Sequence, residues 1–476
     1  MLNGIGNSVL RNLISVGSNV NTTANSTAAQ NHLQAEASTK VTFSEASEAI
    51  AAIYKIVPAQ VQNSGALSSN LQAQLNAASQ SGGVGMSGIG SNLLKGLMQG
   101  SDNVTLSVPA TAATAATSVA SSSQSAVALT VTTQSGIEVS LQMTRQQGGL
   151  VVELNTSGGK LNRDEAAAIS QLSDGLQKAL DGLDAGTTQL DISDLMKFDS
   201  AQLKSVDLKT DLRNSNNVTQ SLNLHADDKE RWLGFHNGDV SIKLDTDVSK
   251  LTQAGSAEQQ AAALDQWSAK FDQAAARGHG DRDMLDLFKA SFRALNTTEG
   301  QASHSINTQR VIAIDANAAK NGAISGLADF SASYQQTPRA DNPYKPEEQD
   351  TFSLEVAQQT RSQQHIDTQD LTQDTLFKLK ASFHTALDSD GAAKLTALKS
   401  SQNYRYHLID DEERSQTAVS QNKKGELTAQ TTQQLTQHET VKSYQQAKLI
   451  DSIEIPHSEK KVSSQNYARA LFEREN

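Results

Sequence analysis

Ala126-Val-Ala-Leu-Thr-Val-Thr-Thr-Gln-Ser-Gly-Ile-Glu-Val-Ser-Leu-Gln-Met-Thr-Arg-Gln-Gln-Gly-Gly-Leu-Val-Val-Glu-Leu154 changes the rhythm of the chain. Val127, Leu129 and Val131 alternate with polar residues. Ile137, Val139, Leu141 and Met143 do so again after a turn at Gly136, and Leu150, Val152 and Leu154 follow Gly148-Gly149. Alternation sends every second side chain to one face, so three antiparallel strands are expected in a meander with one apolar side.

The segments that follow supply helices to cover such a side. Asn162 can cap a helix with Glu165 three residues on, and Ile169, Leu172, Leu176, Leu180 and Leu183 recur at helical spacing. Leu233 and Phe235 face Val240, Ile242 and Leu244 across Asn237-Gly238, a hairpin signal. Ser256 with Gln259 opens a helix carrying Leu264, Trp267 and Phe271, and the next carries Met284, Leu285, Phe288, Phe292 and Leu295. The strand, turn and Leu161-x-x-x-Glu-Ala-Ala-Ala-Ile-x-x-Leu172 pattern of residues 150–172 resembles an uncharacterised domain of bacterial proteins, which implies a bacterial origin.

Before residue 127 the chain differs in charge. Residues 1–126 hold four basic and four acidic residues, leaving 36 and 48 for the remainder. Thr42-Phe-Ser-Glu45 reads as a capping box ahead of Ala46, Ile50, Ile53 and Val57. Residues 62–87 and 107–126 are too poor in large apolar groups to offset the entropy of ordering them.

Further on, Lys289-Ala-Ser-Phe-Arg-Ala-Leu-Asn-Thr-Thr-Glu-Gly300 is echoed by Lys380-Ala-Ser-Phe-His-Thr-Ala-Leu-Asp-Ser-Asp-Gly391. With Asp315 and Asp410 each closing a strand, the echo points to a duplicated strand–helix–strand unit. Chance likeness between two amphipathic helices is the alternative. Pro338, Pro343 and Pro346 mark a linker between the copies. Phe352, Leu354 and Val356 predict one strand, and Tyr404, Tyr406 and Leu408 another. Residues 415–449 are a Gln- and Thr-rich tract with few apolar positions for a core, and Ser463 can cap a last helix bearing Tyr467, Leu471 and Phe472.

The expected fold class is therefore α+β, antiparallel sheets with amphipathic helices preceded by a largely disordered N-terminal arm. Its expected parts are an arm (1–63), a low-complexity linker (64–126), an α+β domain (127–300), a second linker (301–350) and a smaller α+β module (351–476).

Composition excludes several functions. A net charge of -12 without a basic run leaves no stripe for a phosphate backbone, so nucleic acid is not an expected partner. No cysteine is present, which removes disulfides, thiolate nucleophiles and Cys-ligated zinc. Arg11 interrupts the apolar start that a secretory signal needs, and no segment approaches the ~20 apolar residues that span a bilayer.

Chemistry-bearing clusters are sparse. Arg277-Gly-His279-Gly-Asp281-Arg-Asp283 offers an imidazole and two carboxylates to a divalent metal, although Asp281 or Asp283 also suits the N-cap of the next helix. Asp410-Asp-Glu-Glu413 near His407, and His225 with Asp227 and Asp228, read first as solvated charge. Asp388-Ser-Asp390-Gly391 fails the calcium-loop pattern, with Ala386 and Ala397 at two ligand positions. There is no Gly-x-Ser-x-Gly, Walker loop or His-Glu-x-x-His. The expectation is a protein without enzymatic activity or cofactor.

One phrase occurs twice. Gly4-Ile-Gly-Asn-Ser-Val-Leu-Arg-Asn-Leu-Ile14 and Gly88-Ile-Gly-Ser-Asn-Leu-Leu-Lys-Gly-Leu-Met98 place Val9, Leu10, Leu13 and Ile14, and Leu93, Leu94, Leu97 and Met98, at equal offsets. Two helical turns do not persist alone in water, so each copy must dock on the protein's own fold, a second protein or a membrane interface. One positive charge per copy, Arg11 or Lys95, gives little hold on anionic lipid, which favours protein docking.

The Ser-, Asn- and Thr-rich start, the short amphipathic element, the absence of cysteine and the 4% aromatic content resemble bacterial substrates of flagellar and type III export. That resemblance implies residence in the bacterial cytoplasm before export and then secretion or cell-surface attachment. Its implied partners are an export chaperone or a surface appendage component. The expected function is an interaction protein gripping partners through the eight apolar residues of the twin phrases. A metal-dependent effector using His279, Asp281 and Asp283, and a membrane-active protein, are the alternatives.

Overall fold

The computed structural model describes residues 89–99, 103–108, 125–146, 149–184, 190–213, 219–249, 256–297, 318, 322–365, 368–422 and 426–467. The first copy of the repeated phrase and the expected helix at 42–57 lie outside the described residues.

The first described element is helix α1 (Ile89–Gly96), which tightens into a 3-10 turn at Leu97–Gln99. Strands β1 (Asn103–Val108), β2 (Ser125–Thr133), β3 (Glu138–Gln146) and β4 (Gly149–Ser157) follow. Helices α2 (Arg163–Asp184) and α3 (Ser193–Met196) lead to β5 (Leu203–Arg213), β6 (Thr219–Asp227), β7 (Glu230–His236) and β8 (Val240–Asp247). Helices α4 (Ala257–Gly278) and α5 (Arg282–Leu295) precede β9 (Asp329–Gln336) and β10 (Thr351–Gln364). The last strands are long: β11 (Thr368–Ala386), β12 (Tyr404–Asn422), β13 (Leu427–Gln445) and β14 (Lys448–Tyr467).

The fourteen described strands form one open sheet in the order β1-β4-β3-β2-β5-β6-β7-β8-β9-β10-β11-β12-β13-β14. Adjacent strands run antiparallel, as in β2 against β5, where Leu129 faces Leu208. From β5 onward each strand pairs with the next. The expected linker at 301–350 supplies β9, which bonds β8 on one side and β10 on the other.

The alternating apolar side chains make one core with the helices. Val127, Leu129 and Val131, Val139, Leu141 and Met143, and Val152 and Leu154 are buried, as are Ile169, Leu172, Leu176 and Leu180 of α2. Asn162 and Glu165 complete a reciprocal cap, each side chain accepting from the other's backbone N–H. The same device at Ser256 and Gln259 starts α4. Although aromatic residues are scarce in the chain, they gather under α4 and α5. Phe271 meets Phe288 at 5.1 Å and Phe292 at 5.4 Å, and Phe292 meets Phe330 at 4.9 Å.

The α+β expectation is overturned. Strand accounts for 53% and helix for 25% of the described residues, and the strands join one sheet rather than separate sheets in helix-bearing modules. Two readings failed. Lys380-Ala-Ser-Phe383 is part of β11, where Leu379, Ala381 and Phe383 are buried in alternation, whereas its echo at Lys289 is in α5, and Ser463–Tyr467 completes β14 instead of capping a helix. The Gln- and Thr-rich tract is strand over 415–422 and 427–445, with many of its cross-strand pairs polar.

Candidate functional site

The repeated phrase divides between the described and undescribed parts of the chain. Leu93, Leu94 and Leu97 of the second copy are buried in the chain's own core, and Met98 remains 45% exposed. Lys95 reaches Asp174 of α2 at 2.8 Å. Gly90 lets the helix backbone lie close to the sheet: a Cβ there would stand 3.1 Å from Leu176 Cδ2, 3.3 Å from Leu141 Cδ2 and 3.4 Å from Met143 Cε. Val9, Leu10, Leu13 and Ile14 lie outside the described residues.

The His279 turn has a different duty from the one its residue types invite. His279 takes the left-handed conformation (φ 54°) that ends α4, donating its N–H to Ala275 O. Gly280 N–H bonds the same carbonyl at 3.1 Å. Gly278 and Gly280 press on Phe352 so closely that a Cβ would come within 2.9 Å and 2.8 Å of its ring. The imidazole stacks on Phe383 at 3.8 Å, and Phe383 stacks on His407 at 4.7 Å. Burial and the nearby His407 hold His279 below its ordinary value. Asp281 caps α5, accepting from Asp283 N and Met284 N at 3.0 and 3.2 Å, and Asp283 lies exposed in the first turn. His279 ends one helix and Asp281 starts the next. Among the described residues, no three His, Asp or Glu side chains are placed to hold a metal ion.

Beside this turn opens a cleft of about 520 Å³, lined by Asp239, His279, Asp281, Arg339, Asp350 and His384 among others. Its deepest ionisable group is His384 of β11, whose side chain is only 3% exposed. Pleat alternation turns it away from Phe383, toward the segment 337–350 that joins β9 to β10. His384 Nδ1 lies 2.5 Å from Asp350 Oδ1, and Nε2 lies 3.5 Å from Glu348 Oε2. Burial opposes the imidazolium, yet hydrogen bonds to Asp350 and Glu348 carry the ring up to about 9. Burial likewise opposes the Glu348 carboxylate, and bonds from His384, Tyr404 and neighbours hold it down to about 2.

The joining segment is fastened at several points. Tyr404 OH donates to Glu348 at 2.6 Å, Tyr406 OH and Ser382 Oγ donate to Gln349 O at 2.9 and 2.7 Å, and Lys345 Nζ sits 3.6 Å above the Tyr444 ring. These charges are paired with one another, and the arrangement works as a lock holding the segment onto β11–β13.

Two further polar centres sit in the sheet. His225 Nδ1 lies 2.6 Å from Asp207 and Nε2 3.7 Å from Asp227, beneath the stacked Trp232. Hydrogen bonds to Asp207 and Asp227 lift the ring to about 10. Asp228 stands outside this pair. Arg231 is fully buried, and its Nη1 donates to Leu295 O and Thr297 O at 3.3 and 2.8 Å, capping the C-terminal end of α5. Burial lowers its guanidinium to about 10. Strand parity could have found Arg231, since it shares the inward face of Leu233 and Phe235. No short-range pattern joins Glu348 and Asp350 to His384.

The sheet is open at its β14 edge. Strand β14 bonds β13 along its whole length, from Leu427 facing Tyr467 to Gln445 facing Lys448, and no described strand pairs its outer side. Leu449, Ile450, Ile453, Ile455 and Val462 are each 48–57% exposed. Among the described residues no helix is long and apolar enough to cross a membrane. No family model matches the chain, and neither the curated proteins nor the solved structures include one significantly similar to it.

Proposed function

We propose that the chain is a non-enzymatic interaction protein that assembles with a second copy of itself through β14. The observation that carries this reading is the 20-residue outer strand with five large apolar side chains half exposed. A long open edge is a template for another strand. The charges favour a copy of β14 itself as the occupant. Lys448–Ile455 contains Asp451 and Glu454 against one lysine, and His457–Tyr467 contains Lys460 and Lys461 against one glutamate. Antiparallel docking lays each copy's acidic half along the other's basic half. Such an isologous contact closes on itself as a dimer. Pro456, with no N–H to give, interrupts the ladder near the two-fold axis and confines pairing to the two halves.

Export before assembly completes the proposal. The absence of cysteine, the scarcity of aromatics and the resemblance to flagellar and type III substrates support passage through a narrow channel. Retention of a reporter fused to residues 1–40 inside cells with such a system would remove this half.

Light scattering tests the assembly. The wild-type chain is expected as a dimer, Asp451→Lys/Glu454→Lys and Lys460→Glu/Lys461→Glu each as monomers, and an equimolar mixture of the two variants as a heterodimer. A monomeric wild type, or a mixture that stays monomeric, overturns the reading.

A further inference from the structure

The groove between α2 and β3 has two candidate ligands in one chain. Its resident is Ile89–Met98, seated through three features: the close approach at Gly90, the buried Leu93, Leu94 and Leu97, and the Lys95–Asp174 pair. Residues 5–14 match each of them in register. Gly6 stands at the Gly90 position, Val9, Leu10 and Leu13 at the three buried leucines, and Arg11 at Lys95.

The glycine is the informative match. An amphipathic stripe alone needs no glycine at that offset, and a glycine gives up backbone entropy on ordering without adding a side-chain contact. Leu176, Leu141 and Met143 leave little room for a Cβ at that point of the groove. A segment shaped for some unrelated surface would be under no such restriction.

The echo is the poorer ligand in two places. Val9 is shorter than the fully buried Leu93, and Asn12 replaces the buried Gly96. The resident is also tethered closely, since β1 begins at Asn103. Residues 15–88 separate the echo from the resident, a contour of roughly 250 Å at full extension that reaches any point of the molecule.

We propose that Gly4–Ile14 seats in the α2–β3 groove in place of Ile89–Met98, making the two phrases alternative occupants of one site. The resident holds it by default, and its departure lets the N-terminal segment in, freeing Met98 and its neighbours. This inference is independent of the β14 edge.

Thermal melts of the full chain carrying Gly6→Val, Gly90→Val or both decide it. Gly6→Val alone leaves the midpoint unchanged. Gly90→Val, which drives the resident off, lowers it by a few degrees because the echo replaces it. The double variant falls well below Gly90→Val, since neither phrase can seat. A double variant melting with Gly90→Val, or a Gly90→Val chain that unfolds outright, overturns the proposal. A second measurement uses the full chain with Val9→Asp, Leu13→Asp, Leu93→Asp and Leu97→Asp. Fluorescent peptides of residues 4–18 and 88–101 should both bind it, with Gly6→Val abolishing the first. Binding of peptide 88–101 without peptide 4–18 overturns the inference.

Discussion

The helix-covered strands β2–β9 and the bare strands β12–β14 belong to one hydrogen-bonded sheet and are held in opposite ways. Under α2, α4 and α5 the alternating inward side chains are buried and mostly apolar, and the strands are seven to eleven residues long. In the ribbon the strands reach 19 or 20 residues, and many of the pairs across them are polar. Thr417 bonds Thr431 at 2.9 Å, Gln433 bonds Glu413 at 2.6 Å and Gln437 bonds Asp411 at 2.9 Å. Where α4 meets the ribbon, Lys270 reaches Glu413 at 2.6 Å and Arg277 pairs with Asp411 and Glu439. Burial therefore anchors one end of the sheet, and ladder length with cross-strand polar bonds extends the other.

Truncation measures that contrast most directly. Phe271 is fully buried among Trp267, Phe288, Phe292 and Phe377. Phe271→Ala is expected to cost about 3–5 kcal/mol, whereas Ile453→Ala on the ribbon stays within about 0.5 kcal/mol. Urea unfolding followed by circular dichroism reads both. Comparable losses at the two sites would break the contrast.

The lock at His384 joins the two regimes and responds to pH. Its folded value of about 9 lies above the ordinary 6.5, so its contribution is complete below 6.5 and is lost as pH rises through 9. Glu348 lies below its ordinary 4.5, so its contribution is present above 4.5 and is lost as pH falls toward 2. Stability from this cluster therefore peaks between 4.5 and 6.5. His384→Gln should cost up to about 3 kcal/mol at pH 6 and less at pH 9.5. His225, raised to about 10, supports the same alkaline limb, so part of that slope survives the substitution. An unchanged pH profile in His384→Gln would mean that the cluster does not hold the joining segment.

The seam where α4 meets β10 and β11 comes next in size. At Gly278 an added Cβ meets Phe352 and Ala381 at 2.9 Å. Gly278→Ala is expected to cost about 1–3 kcal/mol by forcing these groups apart, although alanine favours the helix. A neutral result would show that the helix floats over the sheet there.

The covered half was legible because its signals are local. Alternation across 127–154, the Asn237-Gly238 turn and two capping boxes each need only a few neighbouring residues, and all four are present in the structure. In the ribbon the repeated four residues mislead, because period rather than similarity decides their conformation. Lys289-Ala-Ser-Phe292 follows Leu285 and Phe288 at helical spacing, while Lys380-Ala-Ser-Phe383 follows Phe377 and Leu379 in alternation with Ala381 and Phe383. The same four residues thus become helix or strand according to what precedes them. Past residue 415 even the alternation fades, because Thr and Gln serve on both faces and the β11 partners lie forty or more residues away, as Ser415 opposite Thr375. The site was less legible still. The His279 motif was visible but its residues end and start helices, and the His384 lock depends on contacts thirty-three or more residues apart.

The polar ladder itself is open to a finer test with a smaller signal. Thr417 and Thr431 lie directly opposite each other in β12 and β13, and their hydroxyls bond at 2.9 Å. Valine keeps the branched shape that suits a pleated strand and removes the hydroxyl. Thr417→Val and Thr431→Val should each cost under about 1 kcal/mol, because water can satisfy the hydroxyl left behind on a half-exposed surface. A double-mutant cycle isolates the bond, with an expected coupling of about 0.2–1 kcal/mol. Zero coupling would assign the ribbon's order to backbone pairing alone. A coupling above about 1 kcal/mol would show side-chain bonds acting cooperatively along the strands, and would place the ribbon's hold closer in strength to that of the buried half.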